Sequence, residues 1–126
     1  MDFAYTILYV HDVPRSLAFY QAAFGFQLRF QHDSGTYGEL DTGPTRLAFS
    51  SRALMAQLGK HPAPADAAAP VFEIAFSTAD VAGAVARAVA AGATLHQAPQ
   101  PMPWGQTVAY VVDLDGFLVE LCTPVN

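Results

Sequence analysis

Hydrophobic and polar residues follow two different periods along this chain, and the order in which the periods alternate occurs twice. Tyr5–Val10 is a run of aromatic and β-branched residues that ends at His11 and Asp12, as a strand leading to a helix start does. From Val13 the apolar positions Leu17, Phe19, Tyr20, Ala23 and Phe24 recur at helical spacing until Gly25, with Pro14 acceptable in the first turn. Three strand segments follow at Gln27–Gln31, Gly38–Asp41 and Arg46–Ser50, broken by Asp33-Ser34-Gly35 and Thr42-Gly43-Pro44. This half predicts the order β-α-β-β-β. The Pro/Ala stretch His61–Pro70 reads as a linker, preceded by a helical turn over Ala53–Leu58. Beyond it the spacing predicts a strand at Val71–Ser77, a helix over Asp80–Ala91 ending at Gly92, and a weaker strand at Thr94–Gln97. Two further strands, Gln106–Val112 and Phe117–Cys122, flank Asp113-Leu114-Asp115-Gly116. Those two aspartates read as turn formers, with Gly116 supplying the positive φ of a tight hairpin.

The halves can be laid on each other. YTILYVHD at Tyr5–Asp12 slides by 68 residues onto EIAFSTAD at Glu73–Asp80, and DTGPTRLAFS at Asp41–Ser50 slides by 72 onto DLDGFLVELC at Asp113–Cys122. Tyr5 then matches Glu73, and Ala48 matches Glu120. The expected organisation is one domain over residues 1–126, made of two modules, 1–50 and 71–126, joined by a linker at 51–70. Period-two alternation assigns faces within the strands. Phe72, Ile74 and Phe76 form a row suited to packing under a helix, as do Val119 with Leu121 and Leu47 with Phe49. Glu73, Glu120, Arg46 and Ala48 fall on the opposite faces. A carboxylate in mid-strand between apolar neighbours costs several kcal/mol to bury alone, so Glu73 and Glu120 call for water, a cation or a hydrogen-bonding ligand.

Composition narrows the classes. The chain has 126 residues, 52% of them hydrophobic, which suffices for the core of one domain. Six Lys/Arg stand against 11 Asp/Glu, a net charge of −5, and no basic cluster exists to neutralise a row of phosphates. Nucleic acid is therefore not an expected partner. Neither a bilayer-spanning apolar run nor a basic amino-terminal segment followed by an apolar one is present, and the expectation is a cytoplasmic protein with no membrane partner. The lone Cys122 excludes an internal disulfide and reads as a small buried hydrophobe.

Two stretches, YTILYVHDVPRSLAFYQAAFGF at Tyr5–Phe26 and WGQTVAYVVDLDGFLVEL at Trp104–Leu121, resemble the vicinal oxygen chelate superfamily, which holds glyoxalase I, extradiol dioxygenases, fosfomycin-resistance enzymes and bleomycin-resistance proteins. The resemblance covers nearly the whole chain. It implies an α+β fold of two βαβββ modules, each a curled sheet around a cleft, usually in a homodimer. It also implies that metal-using members draw His, Gln or Glu ligands from the first and last strands of each module. Here those positions hold Tyr5, Ala48, Glu73 and Glu120. Ala48 cannot ligate, and a neutral tyrosine is a poor ligand for divalent ions. His11 and His96 are off the ligand positions, while His32 and His61 fall at a strand end and in the linker.

The resemblance thus leads toward the bleomycin-resistance type, in which no metal is expected and a small aromatic or cationic molecule binds. Tyr5, Tyr9, Tyr37, Trp104 and Tyr110 are the candidate aromatics, joined by Arg46, Ala48, Glu73, Gln106 and Glu120. Trp104 follows the proline-rich QAPQPMP and is placed to cap a pocket rather than to fill a core. The alternative is an enzyme of the lyase, isomerase or dioxygenase class in which Glu73 and Glu120 hold a divalent metal ion or act as acid and base.

Overall fold

In a computed structural model describing residues 1–125, the chain divides into two compact units, Met1–Pro64 and Ala65–Asn126, with the division inside the proline/alanine stretch. The first unit runs β1 (Tyr5–Val10), α1 (Val13–Phe24), β2 (Gln27–Gln31), β3 (Tyr37–Asp41), β4 (Arg46–Ser51) and α2 (Arg52–Gln57). Its sheet has the order β1-β4-β3-β2, with β1 and β4 parallel and the other pairs antiparallel. The second runs β5 (Glu73–Ser77), α3 (Val81–Ala91), β6 (Thr94–Pro101), β7 (Thr107–Val112) and β8 (Leu118–Cys122), in the order β5-β8-β7-β6. Each unit is a βαβββ module, so the α+β architecture expected from the repeat is present.

Local chemistry explains the element ends. Asp12 caps α1 by accepting a hydrogen bond from the Arg15 amide at 3.1 Å, and Asp80 caps α3 through the Gly83 amide at 2.9 Å. Gly25 ends α1 at φ 78, a left-handed conformation that costs glycine little. One face of each sheet lies under its helix. In the first unit Leu8, Val10, Leu40, Leu47 and Phe49 are buried there, and the Phe49 ring meets Tyr20 of α1 edge-on at 5.0 Å between centroids. Gly38 is small for a reason: a Cβ on it would lie 2.5 Å from Cδ1 of Leu17 and 3.2 Å from the Phe30 carbonyl oxygen. In the second unit Val111, Val119 and Leu121 are buried against α3.

Two strands depart from expectation. β5 begins at Glu73 rather than Val71, so Phe72 lies outside it and is 43% exposed instead of packing under a helix with Ile74 and Phe76. β6 continues through Ala98, Pro99, Gln100 and Pro101, where the sequence predicts an irregular lead-in after Gln97. The prolines are tolerated because β6 is an edge strand paired only with β7, so an absent N–H can face away from the ladder. Two register shifts, between Leu95 and Gln97 and between Gln97 and Gln100, absorb the rest. Among the described residues no helix is long and apolar enough to cross a membrane.

Candidate functional site

The face of the second sheet turned away from α3 gathers Glu73 from β5, Tyr110 from β7 and Glu120 from β8. Register places them: Ala75 pairs with Glu120, and Tyr110 lies opposite Glu120 on the next strand. The Tyr110 hydroxyl donates to Glu120 Oε1 at 3.1 Å. Burial, then the charges of Glu120 and Glu73 and hydrogen bonding to both, push the Tyr110 pKa far above its ordinary 10.0. The phenol therefore stays a donor, held between two carboxylates. Cys122, two residues beyond Glu120 on the same face, is buried, and burial followed by the Glu120 charge raises its thiol pKa. At the end of this sheet the Trp104 indole N–H donates to Gln106 Oε1 at 2.8 Å, and the Gln106 amide donates to the Thr123 carbonyl at 2.8 Å.

The corresponding face of the first sheet gathers Tyr5 from β1, Tyr37 and Glu39 from β3, and Arg46 and Ala48 from β4. Glu39 sits opposite Ala48, and Arg46 beside Tyr5. Arg46 Nη1 reaches Glu39 Oε1 at 3.5 Å. Burial raises the Tyr37 pKa, helped by the Glu39 charge, the neighbouring Tyr5 and a hydrogen bond to Glu39, while Arg46 acts in the opposite direction. The four polar ends thus converge. At the far end of β1, Lys60 Nζ lies 3.4 Å from the Tyr9 hydroxyl and 5.6 Å from the ring centroid, an exposed cation–π contact.

The chain, whose first strand runs parallel to its last in each unit, is matched by a model of the Glyoxalase/Bleomycin resistance protein/Dioxygenase superfamily over residues 2–121. The chain belongs to that superfamily. Among solved structures, a glyoxalase-related enzyme from Fulvimarina pelagi is similar over 98% of this chain and 88% of its own, with a TM-score of 0.84 at 23% identity, a likeness of fold. A glyoxalase/bleomycin resistance protein/dioxygenase family enzyme from Burkholderia phytofirmans PsJN is 25% identical over 99% of this chain and 100% of its own, with a TM-score of 0.81. TioX from Micromonospora sp. ML1 is also 25% identical, over 99% and 100% of the two chains, with a TM-score of 0.74. No curated protein matches the chain.

Within this superfamily fold the four first- and last-strand positions carry a phenol, a methyl group and two carboxylates, with no imidazole. Among the described residues no three His, Cys, Asp or Glu side chains gather as a cation site. An open divalent site uses three or more protein donors, so this donor set does not fit one. The five candidate aromatics all lie outside the core: Tyr9, Tyr37 and Tyr110 are half-buried, Tyr5 is exposed, and Trp104 is 68% exposed on the turn after β6.

Glu39 is the site residue that sequence reasoning missed. A signal for it existed. The chain has three glutamates, and all three lie in strands on the face away from the helix, Glu73 as the first residue of β5, whereas aspartates serve as helix caps at Asp12 and Asp80 and in the turn at Asp113 and Asp115. A second missed signal is the charge partition. Residues 1–64 hold five Lys/Arg and five Asp/Glu, while residues 65–126 hold six Asp/Glu against Arg87 alone, so the net −5 belongs to the second unit.

Proposed function

We propose that this chain is a small-molecule binding protein of the glyoxalase/bleomycin-resistance type that works without a full catalytic metal site and takes an aromatic or cationic ligand. The observation that carries the reading is the Glu73–Tyr110–Glu120 group, two carboxylates about one protonated phenol, in a unit whose only Lys or Arg is Arg87 of α3. A cationic group seated there would meet two charged acceptors and the face of Tyr110. Phe, Tyr and Trp residues outside the core offer planar surface at small entropic cost. The sheet positions, rather than any loop, set this spacing, so the acceptors are preorganised. Assembly as a homodimer in the cytoplasm belongs to the same proposal.

The test is calorimetric titration of chelator-treated protein with proflavine, a planar aromatic cation, alongside Ni²⁺, Zn²⁺, Mn²⁺ and Fe²⁺. Saturable proflavine binding is expected, with quenching of Trp104 fluorescence. Affinity should fall about 10-fold in Glu120→Gln with the circular dichroism spectrum unchanged, as loss of one charged contact predicts. Equal proflavine affinity in the variant refutes the reading. Near-stoichiometric metal binding that disappears in Glu120→Ala replaces it with the metal-dependent enzyme.

A further inference from the structure

Glu73 and Glu120 lie on neighbouring strands, Glu73 opposite Leu118 and Glu120 opposite Ala75. Their holds on the sheet are unequal. Glu120 is in the middle of β8, which has β5 on one side and β7 on the other. Glu73 is the first residue of β5, the outermost strand of its sheet, and it is exposed. Strand ends open most readily, and two like charges about one phenol push the looser one outward. Keeping both carboxylates at Tyr110 therefore requires a hold on the chain before Glu73.

The preceding segment supplies one. At its start, Ala65 is seated on Gly116 of the β7–β8 turn, where a Cβ on Gly116 would lie 2.5 Å from the Ala65 carbonyl oxygen and 3.1 Å from the carbonyl carbon. The chain then turns at Asp66, whose side chain accepts from the Ala68 amide at 2.9 Å and whose carbonyl accepts from the Ala69 amide at 3.0 Å. At its end the Phe72 ring meets Phe117 edge-on, 5.8 Å between centroids and 74° between planes. Phe72 and Phe117 immediately precede Glu73 and Leu118, which are register partners, so the ring pair lies across the entry of the two parallel strands.

The turn that receives this segment is itself fixed. Asp113 accepts from the Asp115 and Phe117 amides, and Leu114 packs close over Gly92 at the end of α3. What the sequence reads as a linker is thus, from Ala65 on, folded against the unit it enters.

We propose that Ala65–Phe72 is a brace that sets the spacing of Glu73 and Glu120 about Tyr110, with Phe72 and Phe117 as positioning residues. The brace rests on the cation reading of that group and deepens it: the acceptors for the ligand are held by the segment before β5 as well as by the sheet. Phe72 touches no ligand. It acts through Glu73, which follows it directly in the chain.

The experiment uses the whole chain and has two arms. By calorimetry, Glu73→Gln and Phe72→Ala should each weaken proflavine binding about 5-fold, and the double variant should bind no more weakly than either alone, because both changes act on one carboxylate. Losses that multiply in the double variant overturn the proposal. The second arm needs no ligand: ¹³Cζ-labelled tyrosine, with Tyr110→Phe to assign the signal, follows the phenol by NMR. In Phe72→Ala, Tyr110 should ionise at lower pH than in the unaltered protein, because Glu73 no longer opposes the phenolate. Phe72→Trp, which keeps an aromatic face against Phe117, should restore the unaltered titration. A Tyr110 titration unchanged in Phe72→Ala overturns the brace. Absence of proflavine binding by the unaltered protein sinks the cation reading, and the NMR arm then decides the brace by itself.

Discussion

Replacing Tyr110 with phenylalanine keeps the ring and removes only the hydroxyl that donates to Glu120 at 3.1 Å. A hydrogen bond to a charged acceptor contributes about 1.5–3 kcal/mol when buried, and the half-buried position of this one reduces it to roughly 1 kcal/mol at neutral pH. The alkaline range adds a second, opposite effect. The native Tyr110 pKa is raised, first by burial and then by Glu120 and Glu73, whereas in the unfolded chain the phenol titrates near 10. Above pH 10 the unfolded state therefore releases a proton that the native state retains, and stability falls as pH rises. At pH 11 that linkage removes about 1.4 kcal/mol from the wild type and nothing from the variant. Urea unfolding should show the wild type ahead by about 1 kcal/mol at pH 7, with the curves crossing near pH ~10.6. Because Tyr37 and Cys122 titrate in both proteins, the difference curve isolates Tyr110. A wild-type advantage that stays constant from pH 8 to 11 would show that Tyr110 is not held between the two carboxylates and would remove the main support for the cation reading.

The packing and turn arguments make two further predictions. Gly38→Ala forces a methyl group against Leu17 and the Phe30 carbonyl and should cost about 1–3 kcal/mol by thermal unfolding; an unchanged melting temperature would mean that α1 does not sit on β3 as described. Asp113→Ala removes the carboxylate oxygen that accepts from the Asp115 and Phe117 amides at 2.9 and 2.8 Å, so the β7–β8 turn should lose about 1–2 kcal/mol in urea unfolding; unaltered stability would return Asp113 to the list of groups available for chemistry.

Much of the fold was legible because each element carries its own period and its own cap. The switch from period two to helical spacing at Asp12 and again at Asp80 marks where a side chain can satisfy the first turn of a helix, a local matter. The repeat is local too, and the pairings Tyr5 with Glu73 and Ala48 with Glu120 agree with the registers of β1 with β4 and β5 with β8. β6 escaped the same reasoning. Two prolines read as a break when the segment is considered alone, and only its edge position in the sheet makes them acceptable.

Glu39 shows the limit most plainly. Within Tyr37–Asp41 nothing distinguishes it from a solvated strand residue, because its significance depends on lying opposite Ala48 and within reach of Arg46 and Tyr37. The chain alone determined which residues share a face, since that follows from the pleat of each strand. The tertiary structure decided that the Tyr110 hydroxyl reaches Glu120 and that Glu39 comes within 3.5 Å of Arg46. Those facts depend on cross-strand register, which turns and hydrophobic burial fix jointly across distant parts of the sequence.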